Sequence, residues 1–406
     1  MKKFKPSSII LFTTMLLLTT ACTQPESTSD ASAQADNKKV TSLALQSSDN
    51  ILQQMEKVAN WQVPRIDSLT YLNFKRGESL EQGRWVQGAF YIGLTEIAER
   101  SSNPFYTHWI EYKAKQLNWQ LGKVPYFGDD QLIAQTYIWY FLNHQQNPAF
   151  LAPTKVEFDQ ILAQHQDTSL EFTSERTVDE TYVCQNRWCW ADALFMAPAS
   201  WLGLSKITGD PRYAEHAHKE VKATVDYLFD PAYNLLYRDS RFKTEKDAFG
   251  NQLFWARGSG WVFAGLARMM EFIPKDDPNR PFYENLFTTM AAKLKTLQKQ
   301  DGTWAMSLLS VENSPQPETS GTAFFTYGMT WGINEGLLPE QEYLPNVIRG
   351  WNALNSAVHP DGKLGWVQQI GDAPDNVSYD DSQIYAVGAY LLAGSELYDF
   401  QLAKEK

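Results

Sequence analysis

Asn103-Pro-Phe-Tyr106 is the first of a series, followed by Asn147-Pro-Ala-Phe150, Gly209-Asp-Pro-Arg-Tyr213, Arg280-Pro-Phe-Tyr283 and Leu338-Pro-Glu-Gln-Glu-Tyr343. Each sets a proline shortly before an aromatic residue and a new apolar-periodic segment. Proline suits the first turn of a helix, where its missing N–H costs nothing and its φ is already helical. The series therefore punctuates a run of helices. Apolar residues recur at three- and four-residue spacing in 86–98, 132–142, 193–207, 215–228, 261–272 and 283–297, the mark of helices with a buried face. No convincing set of alternating strands accompanies them, and 235–237 and 364–367 read as short loop strands at the edge of a helical body. The punctuation returns every ~45–70 residues, the length of a helical hairpin with its loops, so about 350 mature residues hold about six such units. Six hairpins closing on themselves make an all-α (α/α)6 barrel, one ring of helices inside another. An open helical solenoid is the other arrangement the repeat allows. Closure is favoured because the Gly- and Trp-rich segments between helices are suited to lining one shared pocket.

The composition agrees with a full globular core: 43% hydrophobic and 20% charged residues in a chain of 406. Its aromatic load of 14 Trp, 19 Tyr and 22 Phe serves either a large core or stacking against sugar faces. A net charge of −11 argues against nucleic acid, whose binding depends on basic groups that neutralise phosphates. An anionic substrate would then need a local cluster of Arg or Lys. At the N-terminus, Lys2, Lys3 and Lys5 precede an apolar run over 9–18 and then Leu18-Thr-Thr-Ala-Cys22. That is the layout of a secretory signal spanning 1–22, too short to cross a membrane as a mature helix. The cysteine resembles that of a bacterial lipobox, with Thr19 where leucine is usual, so lipidation of Cys22 is expected and plain periplasmic release is the alternative. The Ser-, Thr- and Gln-rich segment 23–48 reads as a flexible tether, leaving 49–406 for the barrel. The expected location is the periplasm or the outer membrane, with membrane contact only through the lipid. Cys184 and Cys189 remain for an oxidising compartment, where they can form a small loop disulfide or stay a free buried pair. No further ligands at suitable spacing support zinc, and no metal is expected.

The sequence contains no phosphate-binding loop, no strand-borne dinucleotide fingerprint and no G-x-S-x-G elbow. Its six histidines form no metal pattern; His216 and His218, two apart, fall on different sides of a helix, with surface or helix-end roles expected. Catalysis therefore falls to carboxylates in an aromatic pocket. Asp129 and Asp130 open a helix, where the dipole favours negative charge, as a cap or as a catalytic group. Asp192 lies in Trp188-Cys-Trp190-Ala-Asp192-Ala-Leu-Phe-Met196. It either caps the apolar helix that follows, or is a desolvated acid that keeps a proton near neutral pH. In Trp255-Ala-Arg257-Gly-Ser-Gly-Trp261 the glycines permit a tight turn that presents Arg257 and Trp261 to a ligand, the Arg fork being suited to a carboxylate; pairing with a structural Asp is the alternative. Glu318-Thr319-Ser320-Gly321 opens a helix of small and aromatic residues, with Thr319 and Ser320 as the expected pocket members.

In this order the segments resemble glycoside hydrolase family 105, the unsaturated rhamnogalacturonyl hydrolases, and the related family 88. The resemblance runs through Gly128-Asp-Asp-x4-Gln135-Thr-Tyr137, Trp190-Ala-Asp192, Trp255-x-Arg257-Gly-x-Gly-Trp261 and Glu318-Thr-Ser-Gly321. It continues through Trp331-Gly-Ile-Asn334, Asp361-Gly-Lys-Leu-Gly-Trp366-Val-Gln368 and Tyr385-x-Val-Gly388. It implies an (α/α)6 barrel with no cofactor, acting on an anionic unsaturated oligosaccharide by hydrating the C4=C5 bond of its terminal uronic acid. It further implies Asp192 as acid/base, a second carboxylate from Asp129 or Asp130 (leaning to Asp129), and sugar contacts from Trp190, Arg257, Trp261 and Trp366. One departure stands out: where many members carry a His-containing turn, this chain has Tyr237-Arg238-Asp239-Ser-Arg241. Fixed charge at Arg238 there suits a more anionic partner, so sulfated rhamnose stands beside plain rhamnose as the expected aglycone. Two other readings are a toroidal sugar epimerase, which would need a histidine pair, and a non-catalytic glycan-binding lipoprotein, which would need only the aromatics. The oligomeric state is not legible.

Overall fold

Each proline element opens a helix of one kind. In the computed structural model, which describes residues 45–68, 72, 83–176 and 182–406, the helices follow one another almost without interruption. The signal segment with Cys22, and the tether as far as residue 44, lie outside the described residues. In chain order come α1 (Ser48–Gln62), α2 (Trp85–Arg100), α3 (Phe105–Gln116), the single turn α4 (Gly128–Gln131) and α5 (Ala134–Asn143). Next are α6 (Ala152–Gln164), the single turn α7 (Ala193–Met196), α8 (Pro198–Thr208), α9 (Pro211–Leu228) and α10 (Ala256–Met270). The last are α11 (Arg280–Thr296), α12 (Thr319–Asn334), α13 (Glu340–Ser356) and α14 (Ile384–Glu405).

Helix α2 packs beside α5, α5 beside α8, α8 beside α10, α10 beside α12, α12 beside α14, and α14 returns to α2. That closes an inner ring. Around it α1 packs on α14, α3 on α2, α9 on α8, α11 on α10 and α13 on α12, while Phe158 of α6 stacks on Trp201 of α8 at 3.9 Å. The (α/α)6 barrel is thus present, and the proline elements begin its outer helices α3, α6, α9, α11 and α13. Outer helices are amphipathic, whereas inner ones are covered on every side: residues Thr319 through Ile333 of α12 are all buried. The ring closes where α2 meets α14 through glycines. A Cβ on Gly388 would stand 2.0 Å from the Ala89 carbonyl oxygen, so only a bare backbone fits there.

Connections from an inner helix to the next outer one are short; α8 ends at Thr208 and α9 begins at Pro211. Short links make the two antiparallel, so all inner helices run the same way. The long links, from outer to inner helix, therefore gather at one end of the barrel with the inner N-termini. Apart from Trp331-Gly-Ile-Asn334, which ends α12 at the other end of the barrel, the site motifs picked out from the sequence lie in these links or in the first turns that follow them. They include the hairpin of β1 (Phe229–Asp230) with β2 (Leu235–Leu236) and the bridged turns Gln298↔Trp304 and Val358↔Leu364. The helix expected over 193–207 is broken at Ala197. Pro198 has no N–H to continue the ladder, so α7 stops after one turn and α8 restarts on the proline. No described helix is long and apolar enough to cross a membrane.

Candidate active site

Asp192 immediately precedes α7, and its side chain makes no cap bond to the helix. Capping is therefore not what holds it. Ala191 N–H donates to the Arg238 carbonyl at 2.7 Å, and a Cβ at Gly265 of α10 would stand 2.3 Å from Leu194 O. The absent side chain lets the Asp192 turn press against the helix that bears Arg257. The Asp192 residue is 8% exposed, and its Oδ2 lies 3.4 Å from Arg238 Nε without the alignment of a hydrogen bond. Burial pushes the Asp192 carboxyl above its ordinary range, against the downward pull of Arg238 and Arg257.

The acidic pair divides. Asp130 is 1% exposed; it accepts from Arg84 Nε at 3.1 Å and from Val124 N–H at 2.9 Å. It braces a loop against Arg84 and is not free to act as a catalytic carboxylate, which corrects that expectation. The Asp129 Oδ1 is buried with no hydrogen-bond partner. Burial first, then the charges of Asp130 and Asp192, push this carboxyl up to about 8. The expected stabilisation by a helix N-terminus fails because α4 is a single turn, with too few aligned peptide dipoles to offset desolvation. The charge of Asp192 adds to burial in raising the proton affinity of Asp129, so the two carboxyls together retain a proton near neutral pH.

Arg238 is aimed by a lattice the sequence reading did not include. Asp239, fully buried, accepts from Arg238 Nη1 at 2.7 Å and from Arg241 Nε and Nη2 at 2.9 and 2.7 Å. Arg241 also reaches Asp372 at 3.1 Å. The alternation of fixed charges in Arg-Asp-Ser-Arg, directly after the apolar Leu-Leu-Tyr, was the available signal. Arg257 is buried and holds neutral acceptors: its Nη1 donates to the carbonyls of Gln368 and Gln369 and to Tyr385 Oη, its Nη2 to the Gly371 carbonyl at 3.0 Å. It clamps the 368–371 loop between Trp255 and Tyr385 and has neither a free fork nor a structural Asp partner.

Several expected sugar contacts are walls instead. Trp190 is 2% exposed and stacked on Phe127. Trp261 is 1% exposed among Trp85, Phe195, Phe324 and Tyr385. Thr319 and Ser320 are fully buried. The Thr319 hydroxyl donates to the Gly365 and Trp366 carbonyls. The Ser320 hydroxyl donates to Glu318, whose carboxylate caps α12 by accepting from Ser320 N–H and Gly321 N–H at 2.7 and 2.8 Å. These hydroxyls thus brace the Glu318 cap and the 365–366 backbone. The Trp366 ring lines a separate groove with Asp301 and Arg349. His216 and His218 are buried, contrary to the surface role expected: burial lowers His216 to about 4, and His218 Nδ1 meets Tyr283 Oη at 2.7 Å. Cys184 and Cys189 form a disulfide just ahead of the Asp192 turn. Among the described residues the one His/Asp/Glu grouping of metal-ligand geometry, His165, Asp167 and Glu220, is already held by Lys219 and Arg187.

Residues 54–401 match the family model described as Glycosyl Hydrolase Family 88. An unsaturated 3S-rhamnoglycuronyl hydrolase of Alteromonas sp. (strain LOR) is 38% identical over 97% of this chain and 98% of its own length. Another protein of that name, from Formosa agariphila, is 38% identical over 77% of this chain and 84% of its own. The solved glycosyl hydrolase family 88 structure from Bacteroides vulgatus superposes with a TM-score of 0.74 at 29% identity, over 87% of this chain and 100% of that one. A closed (α/α)6 barrel with its carboxylate pair at the inner N-termini, matched over nearly its whole length, makes this chain an enzyme of glycoside hydrolase family 88.

Proposed function

We propose that this enzyme removes the terminal 4,5-unsaturated uronic acid from lyase-generated oligosaccharides by hydrating the C4=C5 bond, and that the sugar behind it is a sulfated rhamnose. One observation carries the chemistry: Asp192 is an uncapped, desolvated carboxyl 3.4 Å from Arg238, coupled to the proton-retaining Asp129. The aglycone rests on the two relatives named 3S-rhamnoglycuronyl hydrolases and on the Arg238–Arg241 lattice.

In this reading protonated Asp192 gives its proton to C4, and water adds at C5. The Asp192 carboxylate, stabilised by Arg238, takes the proton that the water releases. Asp129, neutral at pH 7, donates a hydrogen bond to the sugar without adding charge beside the substrate carboxylate. The inner-helix N-termini that converge on this end favour that carboxylate. The C5 hemiketal then opens to a ketone, and the hemiacetal left at C1 releases the aglycone as an alcohol. One water is consumed, and a 4-deoxy-5-keto uronate leaves. Incubation with unsaturated disaccharides from sulfated rhamnoglycuronan should abolish the ultraviolet absorbance of the conjugated alkene. Absorbance that persists across rhamnoglycuronan, pectin and glycosaminoglycan fragments rejects the reaction; loss on unsulfated fragments alone rejects the aglycone.

The basic run, the apolar 9–18 and Cys22 support export to the periplasmic side with a lipid on Cys22. Metabolic labelling with a fatty-acid analogue should mark the wild type and not Cys22→Ala. Label on neither, with protein in the soluble periplasm, would establish plain release.

A further inference from the structure

Three tryptophans adopt the left-handed backbone: Trp119, Trp188 and Trp366, with φ of 58°, 52° and 56°. That conformation costs a non-glycine residue about 1–2 kcal/mol, so each indole needs a reason to be there. Trp119 stacks on Phe150 at 4.0 Å and is 8% exposed. Trp188 is 2% exposed, edge-on to Trp201 and His216. Burial of those two rings offsets the strain. Trp366 is only partly buried against the core, and its aromatic contact is Tyr379, tilted at 6.1 Å. The backbone there has a task, because the Trp366 carbonyl accepts both Thr319 N–H and the Thr319 hydroxyl. Glycine or asparagine would do that with less strain. Packing against the core accounts for part of the indole and leaves the rest of the residue exposed.

Its ring lines a groove of about 300 Å³ between the 300–303 turn and the C-terminal half of α13, with Asp301, Thr303, Arg349, Asn352 and Ser356 around it. That volume is at the low end of small-ligand sites, enough for one sugar ring. Arg349 is fixed by donating Nε and Nη2 to Gln298 Oε1 at 3.1 and 2.7 Å, which leaves Nη1 with no hydrogen-bond partner among the described residues. An indole, a guanidinium oriented by Gln298 and the Asn352 amide lining one groove are the equipment for a pyranose carrying a negative group, the Asp301 carboxylate there being paired with Lys299 at 3.0 Å. The groove shares no residue with the Asp129, Asp192 and Arg238 set, yet lies on the same end of the barrel. We infer that it is a second glycan site, outside the catalytic pocket, which holds one anionic pyranose of the parent polysaccharide by stacking on Trp366 and pairing its carboxylate or sulfate ester with Arg349. The choice of polysaccharide rests on the proposed function; the site does not.

Native gel electrophoresis in gels containing intact sulfated rhamnoglycuronan, which has no unsaturated end to occupy the catalytic pocket, tests this. The wild type should be retarded, and Trp366→Ala and Arg349→Gln should each weaken retention by about fivefold or more. Both variants should keep the wild-type melting temperature and the wild-type kcat/KM on the unsaturated disaccharide within about twofold. Desulfated and carboxyl-reduced gels identify the anion, since the form that loses retention lacks the group Arg349 reads. Equal retention of wild type and both variants, or no retention of the wild type, overturns the inference. If Trp366→Ala lowers the melting temperature, Arg349→Gln decides alone. Failure of the proposed reaction would appear separately, as persistent alkene absorbance with retention intact.

Discussion

Asp192→Asn should lower kcat by about a thousandfold and leave KM within a few-fold, the range expected when a positioned general acid is removed. The substitution keeps the size and planarity of the side chain. It breaks no helix cap, since Asp192 makes none, and Arg238 stays anchored by its 2.7 Å bond to Asp239. Folding should survive, so circular dichroism and melting temperature would match the wild type while the alkene persists. What disappears is the proton delivered to C4. In the wild type the activity should fall as pH rises through the raised Asp192 value, because only the protonated carboxyl can donate. A variant with near-normal turnover would remove Asp192 from the mechanism.

Asp129→Asn should lower kcat/KM by about a hundredfold and stabilise the protein at alkaline pH. In the folded protein the Asp129 carboxyl titrates at about 8, pushed up chiefly by burial, while in the unfolded chain it titrates in the ordinary range near 4. The folded state therefore binds the proton more tightly. Stability falls as pH rises from the unfolded value through about 8, then levels. Asparagine cannot ionise and escapes that loss. Thermal unfolding at pH 6 and pH 9 should show the variant gaining on the wild type as pH rises. Its kcat/KM profile should also lose the alkaline limb near pH 8, which belongs to the Asp129–Asp192 pair. An unchanged limb together with unchanged relative stability would show that Asp129 ionises freely and has no part in the site.

The helical rhythm was legible because it is local. Proline at a first turn and apolar residues at three- and four-residue spacing act within one element; the prolines marked outer helices α3, α6, α9, α11 and α13, and the spacing marked α2, α5, α8, α9, α10 and α11. The continuous helix expected over 193–207 is two helices because apolar spacing carries no sign of the break, whereas Pro198, without an N–H, starts a new one. The segments that carry the site were legible for a related reason. They sit in the long outer-to-inner links, where polar and glycine residues interrupt the apolar pattern.

Which atoms face the pocket was not legible. Asp129 and Asp130 are neighbours in sequence, and adjacent side chains at the start of a helix point about 100° apart. The choice between them was made by Arg84 and by the 122–124 loop, which claim Asp130. Arg257 reads as a ligand fork until the 368–371 backbone, more than 110 residues later, is seen to take its donors. Asp239 and Asp372 shape the charge at Arg238 and Arg241, and that partnership spans 131 residues. Composition, periodicity and turn chemistry thus carry the barrel and the neighbourhood of its site, because each acts within a few residues. The division of labour inside that neighbourhood belongs to the closed ring, since burial and hydrogen-bond partners exist only once distant inner helices bring their first turns together.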